Sequence, residues 1–348
     1  MIRAGLIGYG LAGKVFHAPL LHAAGIRLAA VATSRRDEVA ADWPDAAVEA
    51  DPAALLARAD MDLVVIATPN ASHHPLALAA LRAGRHVVID KPFTVTSAEA
   101  DELIGLARAG GLVLSAFQNR RWDSDFLTLR ACLEAGEIGE VLLYQARFDR
   151  FRPAVPGRWR DRDEPGAGIL YDLGSHLVDQ ALVLFGKPDW VQADLAIQRE
   201  GARAVDAFHL TLAMGATRVE LGASLLAASP GPKYVVHGRA GSFVKSGADV
   251  QEDQLKAGLR PGNPGFGEEP QETWPLVTRA GPDGLVSEAR PAATGAYVDF
   301  YRGIARAVAD GGGEPVAAEE ARDVVRVIEA ALASHREGRR VPFVPGPR

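Results

Sequence analysis

The sequence predicts an α/β fold in two domains: a parallel sheet covered by helices on both faces, then a domain of mainly antiparallel strands. Three observations predict it. Apolar runs and helical stretches alternate up to about residue 120. Those runs are continuously apolar, as in strands buried on both faces. Beyond them strands dominate, and only Gly215 and Ala216 separate a run ending at Met214 from one starting at Thr217, the spacing of a hairpin. The domains are placed at residues 1–120 and 121–348.

In the first domain the first strand, residues 4–7, runs into a glycine-rich turn, with helical spacing after it through Val15, Leu20 and Leu21. Further strands are predicted at 27–33, at 63–67 (closed by Thr68-Pro69-Asn70), at 86–89 and at 112–116. Helices are predicted at 53–59, at 75–83 ended by Gly84, and at 97–109. In the second domain helices are predicted at 126–134 and 171–185. Strands are predicted at 141–150, 190–199, 207–214, 217–223, 233–237 and 241–245. Residues 248–284, rich in Gly, Pro and charge, read as an extended surface loop, and amphipathic helices at 297–309 and 318–336 close the chain.

Composition narrows the function. A hydrophobic fraction of 48% in 348 residues supports a sizeable core. A net charge of -6 and a pI near 5.9 argue against a nucleic-acid binder. The single cysteine, Cys132, cannot form an intramolecular disulfide and reads as a buried small hydrophobe. No Cys/His spacing suggests a zinc site, so no metal is expected. No signal peptide and no membrane-length apolar run are visible, so a cytoplasmic protein is expected.

Gly8-Tyr9-Gly10-Leu11-Ala12-Gly13 is a G-x-G-x-x-G placed after a strand and opening a helix. The first glycine permits the turn, the second lets a pyrophosphate approach the backbone, and the third packs helix on strand. Gly10, Leu11, Ala12 and Gly13 then offer helix N-terminal N–H groups to the phosphates. Gly8 to Lys14 also matches most of a nucleotide-triphosphate loop, but Val15 stands where Mg²⁺ binding needs a hydroxyl. The second strand ends in Thr33-Ser34-Arg35-Arg36 rather than an acid that would hold a ribose 2′-hydroxyl. A hydroxyl and two guanidinium groups suit a 2′-phosphate, so NADP is favoured over NAD. The structural alternative is a solvated Arg pair satisfied by Asp37 and Glu38.

Asp90-Lys91-Pro92 follows a strand end, where ligands gather in open parallel sheets. A lysine there can steady an alkoxide. Asp172 and His176 are four apart at the start of a helix, so a proton acceptor and a carboxylate share a face. Asp179 either braces His176 or, with Gln180, is structural.

Together these stretches resemble the family of glucose–fructose oxidoreductase, inositol dehydrogenase and MocA, over nearly the whole chain. The resemblance is carried by Ala4 to Gly10, Thr68-Pro69-Asn70-Ala71-Ser72-His73, Asp90-Lys91-Pro92, Ile138-Gly139-Glu140-Val141 and Asp172-Leu173-Gly174-Ser175-His176. Asp90 departs from the family's usual Glu. The resemblance implies a Rossmann domain followed by an α+β domain with an open-faced sheet, often the subunit interface of a homodimer or tetramer. It implies that Lys91, Asp172 and His176 line the reaction centre. Thr68, Pro69, Asn70, His73, Asp90 and Lys91 are implied near the cofactor.

A narrower resemblance, to the subgroup containing NADP-dependent scyllo-inositol dehydrogenases, rests on Gly10 to His17, Gln118-Asn119-Arg120-Arg121-Trp122-Asp123, Phe148 to Pro153 and Gln251 to Leu255. It implies that Gln118 and the Trp159-Arg160 pair reach the cofactor. Asn119, Arg121 and Trp122 are implied to join Asp172 and His176 around a substrate. The reading is therefore reversible oxidation of a cyclic polyol or sugar alcohol with NADP or NAD. The alternatives are a reductase for another keto-sugar and a non-catalytic NAD(P)-binding sensor.

Overall fold

The computed structural model describes residues 1–157 and 159–346. The chain forms two compact units. The first holds Met1–Asn119, Gln251–Phe266 and Ala296–Arg322; the second holds Arg120–Val250, Gly267–Gly295 and the described residues from Asp323 onwards. The chain thus leaves the first unit after Asn119 and returns to it twice, so neither unit is one continuous stretch.

In the first unit the apolar runs become β1 (Arg3–Ile7), β2 (Arg27–Ala32), β3 (Ala47–Glu49), β4 (Leu63–Ile66), β5 (His86–Ile89) and β6 (Leu114–Ala116). They form one sheet in the order β3-β2-β1-β4-β5-β6, with every pairing parallel. Leu6, Val65, Ile66, Val88 and Ile89 are almost wholly buried, which explains the unbroken apolar runs. Ile7 pairs level with both Ala32 and Ile66. The strand order reverses between β1 and β4, so a crevice opens beyond their C-terminal ends. The helix Ser97–Gly110 opens on a capping box of Thr96 and Glu99 and stops at Gly111, whose φ of 62° only glycine adopts cheaply.

Two short elements here escape prediction. The helix Arg36–Asp42 buries only Val39, and β3 is three half-buried residues, so neither has a hydrophobic period to read.

The second unit carries β7 (Val141–Arg147), β8 (Trp190–Ala196), β9 (Ala207–Met214), β10 (Thr217–Ser224), β11 (Tyr234–Gly238), β12 (Gly241–Lys245), β13 (Leu276–Gly281), β14 (Gly284–Ala289) and β15 (Val341–Pro342). Their order is β14-β13-β12-β11-β7-β10-β9-β8-β15. All pairings are antiparallel except β7 with β10, and Met214 faces Thr217 across the predicted hairpin. The core packs Tyr144, Leu210, Leu212, Leu221, Tyr234 and Phe243 under Leu177, Val178 and Ile328. Cys132 is buried there, as predicted.

The predicted loop at 248–284 is incorrect. It contains a helix, Gln251–Lys256, a turn at Gln271–Thr273 and all of β13. β13 pairs with β14 through a tight Gly281/Gly284 turn, and β14 is exposed throughout. Strands with so little buried surface lack the alternation that marks a strand in sequence. The strands predicted to reach residues 150 and 199 end at Arg147 and Ala196. Among the described residues no helix is long and apolar enough to cross a membrane.

Candidate active site

The turn after β1 is built around its glycines. Gly8 has a φ of 97°, and a Cβ there would sit 2.4 Å from the Ala67 carbonyl oxygen. A Cβ on Gly13 would sit 2.2 Å from the Gly8 carbonyl oxygen, so helix and turn touch through backbone. A Cβ on Gly10 meets nothing within 4 Å. Gly10 is thus not needed for internal packing, and its open face is where a ligand's phosphates can reach the backbone. The helix continues through a π-wound turn, Ala12–His17, into Ala18–Ala23, and no side chain caps its N-terminal end at Leu11. Leu11 is exposed. At the end of β6, Gln118 is buried, and its Oε1 has no hydrogen-bond partner among the described residues. An open cradle at Gly10 and an orphaned polar atom at Gln118 both fit a dinucleotide lying along the strand ends.

Beyond β4 and β5, two loops are pinned together by His73. Its Nδ1 lies 2.8 Å from the Pro92 carbonyl oxygen and its Nε2 3.0 Å from that of Thr68. A neutral ring can donate to only one of these carbonyls at a time. Burial nevertheless lowers its pKa, outweighing Asp90 and the two carbonyls, which raise it. Thr68 in turn accepts a hydrogen bond from Ser72 Oγ at 2.7 Å, and Asn70 is buried on the same turn. Asp90 accepts from the Lys91 backbone N–H at 2.8 Å. Burial alone would raise its carboxyl, but His17, then Lys91 and His73, hold it below the usual carboxylate range.

His17 itself is a finding the sequence did not yield. It is fully buried, with Nδ1 2.6 Å from Tyr301 Oη and Nε2 3.8 Å from Asp90 Oδ1. Its ring lies tilted against that of Phe117, with centroids 4.4 Å apart. A Tyr301–His17–Asp90 series therefore ends on the carboxylate that accepts from the Lys91 backbone N–H. No local signal could have joined residues so far apart in the chain.

In the second unit, Asp172 lies in a π-wound turn, Leu170–Gly174, that runs into the helix Ser175–Phe185 bearing His176. His176 is buried, and Asp172 faces Arg160, whose Nε is 3.6 Å from Asp172 Oδ1. Arg160 also stacks on Trp159, 4.7 Å from the ring centre. Trp159, Arg160 and Asp172, drawn from separate stretches of sequence, are thus brought together. Asp161, next to them, is anchored by Arg199 at 2.9 Å, and Arg199 is held by Asp206 at 3.0 Å.

Asp179 is tied to Arg121, which donates to both its oxygens at 2.9 and 2.7 Å. This paired fork is buried and fixes the helix three residues beyond His176. Gln180 joins the Arg120 carbonyl at 2.9 Å and Tyr234 Oη at 2.8 Å, so both residues take the structural role. Arg121, expected at the substrate, thus has its guanidinium in the packing of that helix, and Trp122 closes the same short turn, Asn119–Trp122. Asn119 is buried at the end of the first unit's main segment.

At the end of β2, Ser34, Arg35 and Arg36 are exposed. The Arg35 backbone N–H donates to Thr33 Oγ1 at 3.1 Å, and its guanidinium donates to Glu38 at 3.1 Å.

These features define a dinucleotide-binding oxidoreductase: a six-stranded parallel sheet with an open glycine cradle, and a second unit presenting a buried histidine. Comparison with known proteins agrees. Residues 2–118 match the model of the oxidoreductase family's NAD-binding Rossmann fold (GFO_IDH_MocA), and residues 130–343 match that of its C-terminal alpha/beta domain. The chain belongs to this Gfo/Idh/MocA family of oxidoreductases. It is 47% identical, over 96% of its length and 97% of the relative's, to a protein of Escherichia coli (strain K12) named uncharacterized oxidoreductase YdgJ. It is 40% identical, over 98% of its length and 95% of the relative's, to the scyllo-inositol 2-dehydrogenase (NADP(+)) IolW of Bacillus subtilis (strain 168). The solved structure of the oxidoreductase YPO2259 from Yersinia pestis superposes with a TM-score of 0.94 at 44% identity, covering 99% of this chain and 98% of that one.

Proposed function

We propose that the protein is an NADP-dependent dehydrogenase that reversibly oxidises a secondary alcohol of a cyclic polyol, with scyllo-inositol the leading substrate. The observation that carries the substrate is the 40% identity, over 98% of the chain, to IolW, named as a scyllo-inositol 2-dehydrogenase (NADP(+)). Supporting it are the two arginines and the absence of an acid in Thr33-Ser34-Arg35-Arg36, which favour a 2′-phosphate.

A nicotinamide dinucleotide, when bound, supplies the two-electron acceptor for the hydride leaving the alcohol carbon. Gly8, Gly10, Leu11, Ala12 and Gly13 hold its phosphates by backbone. Thr33, Ser34, Arg35 and Arg36 hold the adenosine ribose. Thr68, Pro69, Asn70, Asp90 and Gln118 border the other end, where His73 locks the two loops. Trp159 and Arg160 reach the same group.

His176 takes the hydroxyl proton as the alcohol becomes a carbonyl, and the Lys91 ammonium steadies the alkoxide character. Asp172, its charge partly met by Arg160, orients a substrate hydroxyl or His176. Asn119 and Trp122 complete the substrate's surroundings, and Arg121 acts through Asp179 by fixing the helix of His176. In reverse, His176 returns the proton to an inosose. The resemblance extends the reading to a homodimer or tetramer built on the second unit's sheet. Light scattering that finds only a 36.9 kDa species would remove that part.

The test is the nicotinamide absorbance of purified protein with NADP⁺ or NAD⁺ and a panel of inositols and sugars. Reduction of NADP⁺ by scyllo-inositol, with weaker reduction of NAD⁺, is the expected result. Activity confined to another sugar would keep the residue roles and replace the substrate. Tight NADPH binding with no turnover of any panel member would favour a sensor instead.

A further inference from the structure

We propose that Glu38 sets the choice between the two dinucleotides: its carboxylate holds the place of a ribose 2′-phosphate between Lys14 and Arg35, and Lys14 is the second cation of that site. The inference rests on the NADP reading above and deepens it.

Lys14 and Arg35 come from the two segments that a bound dinucleotide's diphosphate and adenosine ribose follow in this frame. Lys14 directly follows Gly13, the last glycine of the phosphate turn, and Arg35 lies just beyond the end of β2. Their side chains converge on the two oxygens of one carboxylate. Lys14 Nζ is 3.0 Å from Glu38 Oε2, and Arg35 Nη1 is 3.1 Å from Glu38 Oε1. Two cations gripping an oxygen each is the donor arrangement a phosphate needs.

The pairs are built to open. Glu38 and Lys14 side chains are 39% and 40% exposed and Arg35 is 54% exposed, and exposed ion pairs add little to stability. Lys14 also keeps a fixed counter-ion when Glu38 leaves. Asp42 lies 3.1 Å from its Nζ and is itself held by Tyr9 Oη at 2.8 Å, with Tyr9 buried beneath. Hydrogen bonding to Glu38 and Asp42 raises the Lys14 pKa, and bonding to Lys14 lowers that of Glu38, as expected of a charged pair. A phosphate brings more charge than a carboxylate and takes over both cations. A plain 2′-hydroxyl brings none and leaves Glu38 where it is. Glu38 thus weakens NADP binding while leaving NAD tolerated, and the Arg35–Glu38 pair that the sequence offers as the alternative to a 2′-phosphate site becomes the switch within it.

The experiment is titration of NADPH and NADH into the full chain, followed by tryptophan fluorescence, for wild type, Glu38→Gln, Lys14→Met and Arg35→Met. Melting temperatures close to wild type confirm that each variant folds. Glu38→Gln is expected to bind NADPH about tenfold more tightly, and Lys14→Met about tenfold more weakly. NADH affinity should change by no more than about twofold in Lys14→Met, and both NADPH effects should shrink as salt is added. If Arg35→Met lowers NADPH preference while Glu38→Gln and Lys14→Met leave it as in wild type, the inference is overturned and the NADP reading stands. Weaker NADPH binding by Glu38→Gln also overturns it. A wild type that shows no preference for NADPH, with Arg35→Met unchanged, removes the NADP reading and this inference with it.

Discussion

The two units solve the same problem, holding polar groups in an apolar interior, in opposite ways. In the first, the central strands bury Leu6, Ile7, Val64, Val65, Val88 and Ile89, and the glycine cradle at the strand ends is built of backbone, alongside the buried side chains His17 and Tyr301. Gly8 and Gly13 bring main chain against main chain, and Gly10 leaves it open. In the second unit, side-chain charge is buried outright. Lys233 Nζ lies 2.6 Å from Asp125 and 3.1 Å from Asp123. Burial works against its ammonium, but those carboxylates outweigh it and raise its pKa. Lys245 meets Glu269 at 2.8 Å with both side chains fully buried, and Ser124 donates to the same Glu269. Backbone recognition tolerates little change in side chain at a few positions; paired charges tolerate little change in either partner.

Breaking a pair in the second unit should therefore have the largest effect on stability. Lys245→Met leaves the Glu269 carboxylate buried without its cation and should cost about 3–5 kcal/mol in denaturant unfolding. A loss under about 1 kcal/mol would mean the pair is not truly desolvated. The first unit's counterpart separates packing from recognition. Gly8→Ala and Gly13→Ala force a Cβ onto backbone oxygen and should cost about 1–3 kcal/mol each. Gly10→Ala should leave the melting temperature unchanged and weaken NADPH binding, since its Cβ would fill only the open cradle. Equal loss of stability at all three would make the turn a purely structural feature.

Smaller still is Thr96→Ala, which removes the cap of Ser97–Gly110 and should cost about 1 kcal/mol by thermal unfolding. The pH dependence of His73 sharpens the contrast from the other side. Burial holds its pKa below the ordinary 6.5, so an unfolded chain takes up a proton that the folded ring refuses. Its contribution is complete above pH 6.5 and is lost as pH falls from there through the folded value. His73→Gln should flatten that part of the stability profile; an unchanged slope would mean that His73 is not the titrating group.

This contrast also explains what could be read from sequence. Six residues from Gly8 to Gly13 carry the first unit's recognition in one stretch, so the cradle is legible in the sequence, and the unbroken apolar runs mark the parallel sheet. The Asp172/His176 spacing and the hairpin between β9 and β10 were local too. The Arg121–Asp179 fork, the Arg199 anchor of Asp161 and the Tyr301–His17–Asp90 series were not, because their partners are joined only by folding. The exposed β13–β14 hairpin was missed for lack of a buried face, and the helix Arg36–Asp42 for having a single buried residue. Glu38, whose carboxylate Arg35 faces, lies two residues beyond the Thr33–Arg36 stretch that suggests NADP, and the sequence offers it only as a counter-ion for the arginines.

In the proposed reaction the cradle binds the dinucleotide, and Lys91 serves the chemistry separately. Lys91→Met, assayed for NADPH binding by fluorescence and for turnover by nicotinamide absorbance, tests it most directly. Near wild-type NADPH affinity is expected, with turnover lowered about 10²–10³-fold, the loss when one stabiliser of a developing oxyanion is removed. Unchanged turnover would contradict it by taking Lys91 out of the mechanism.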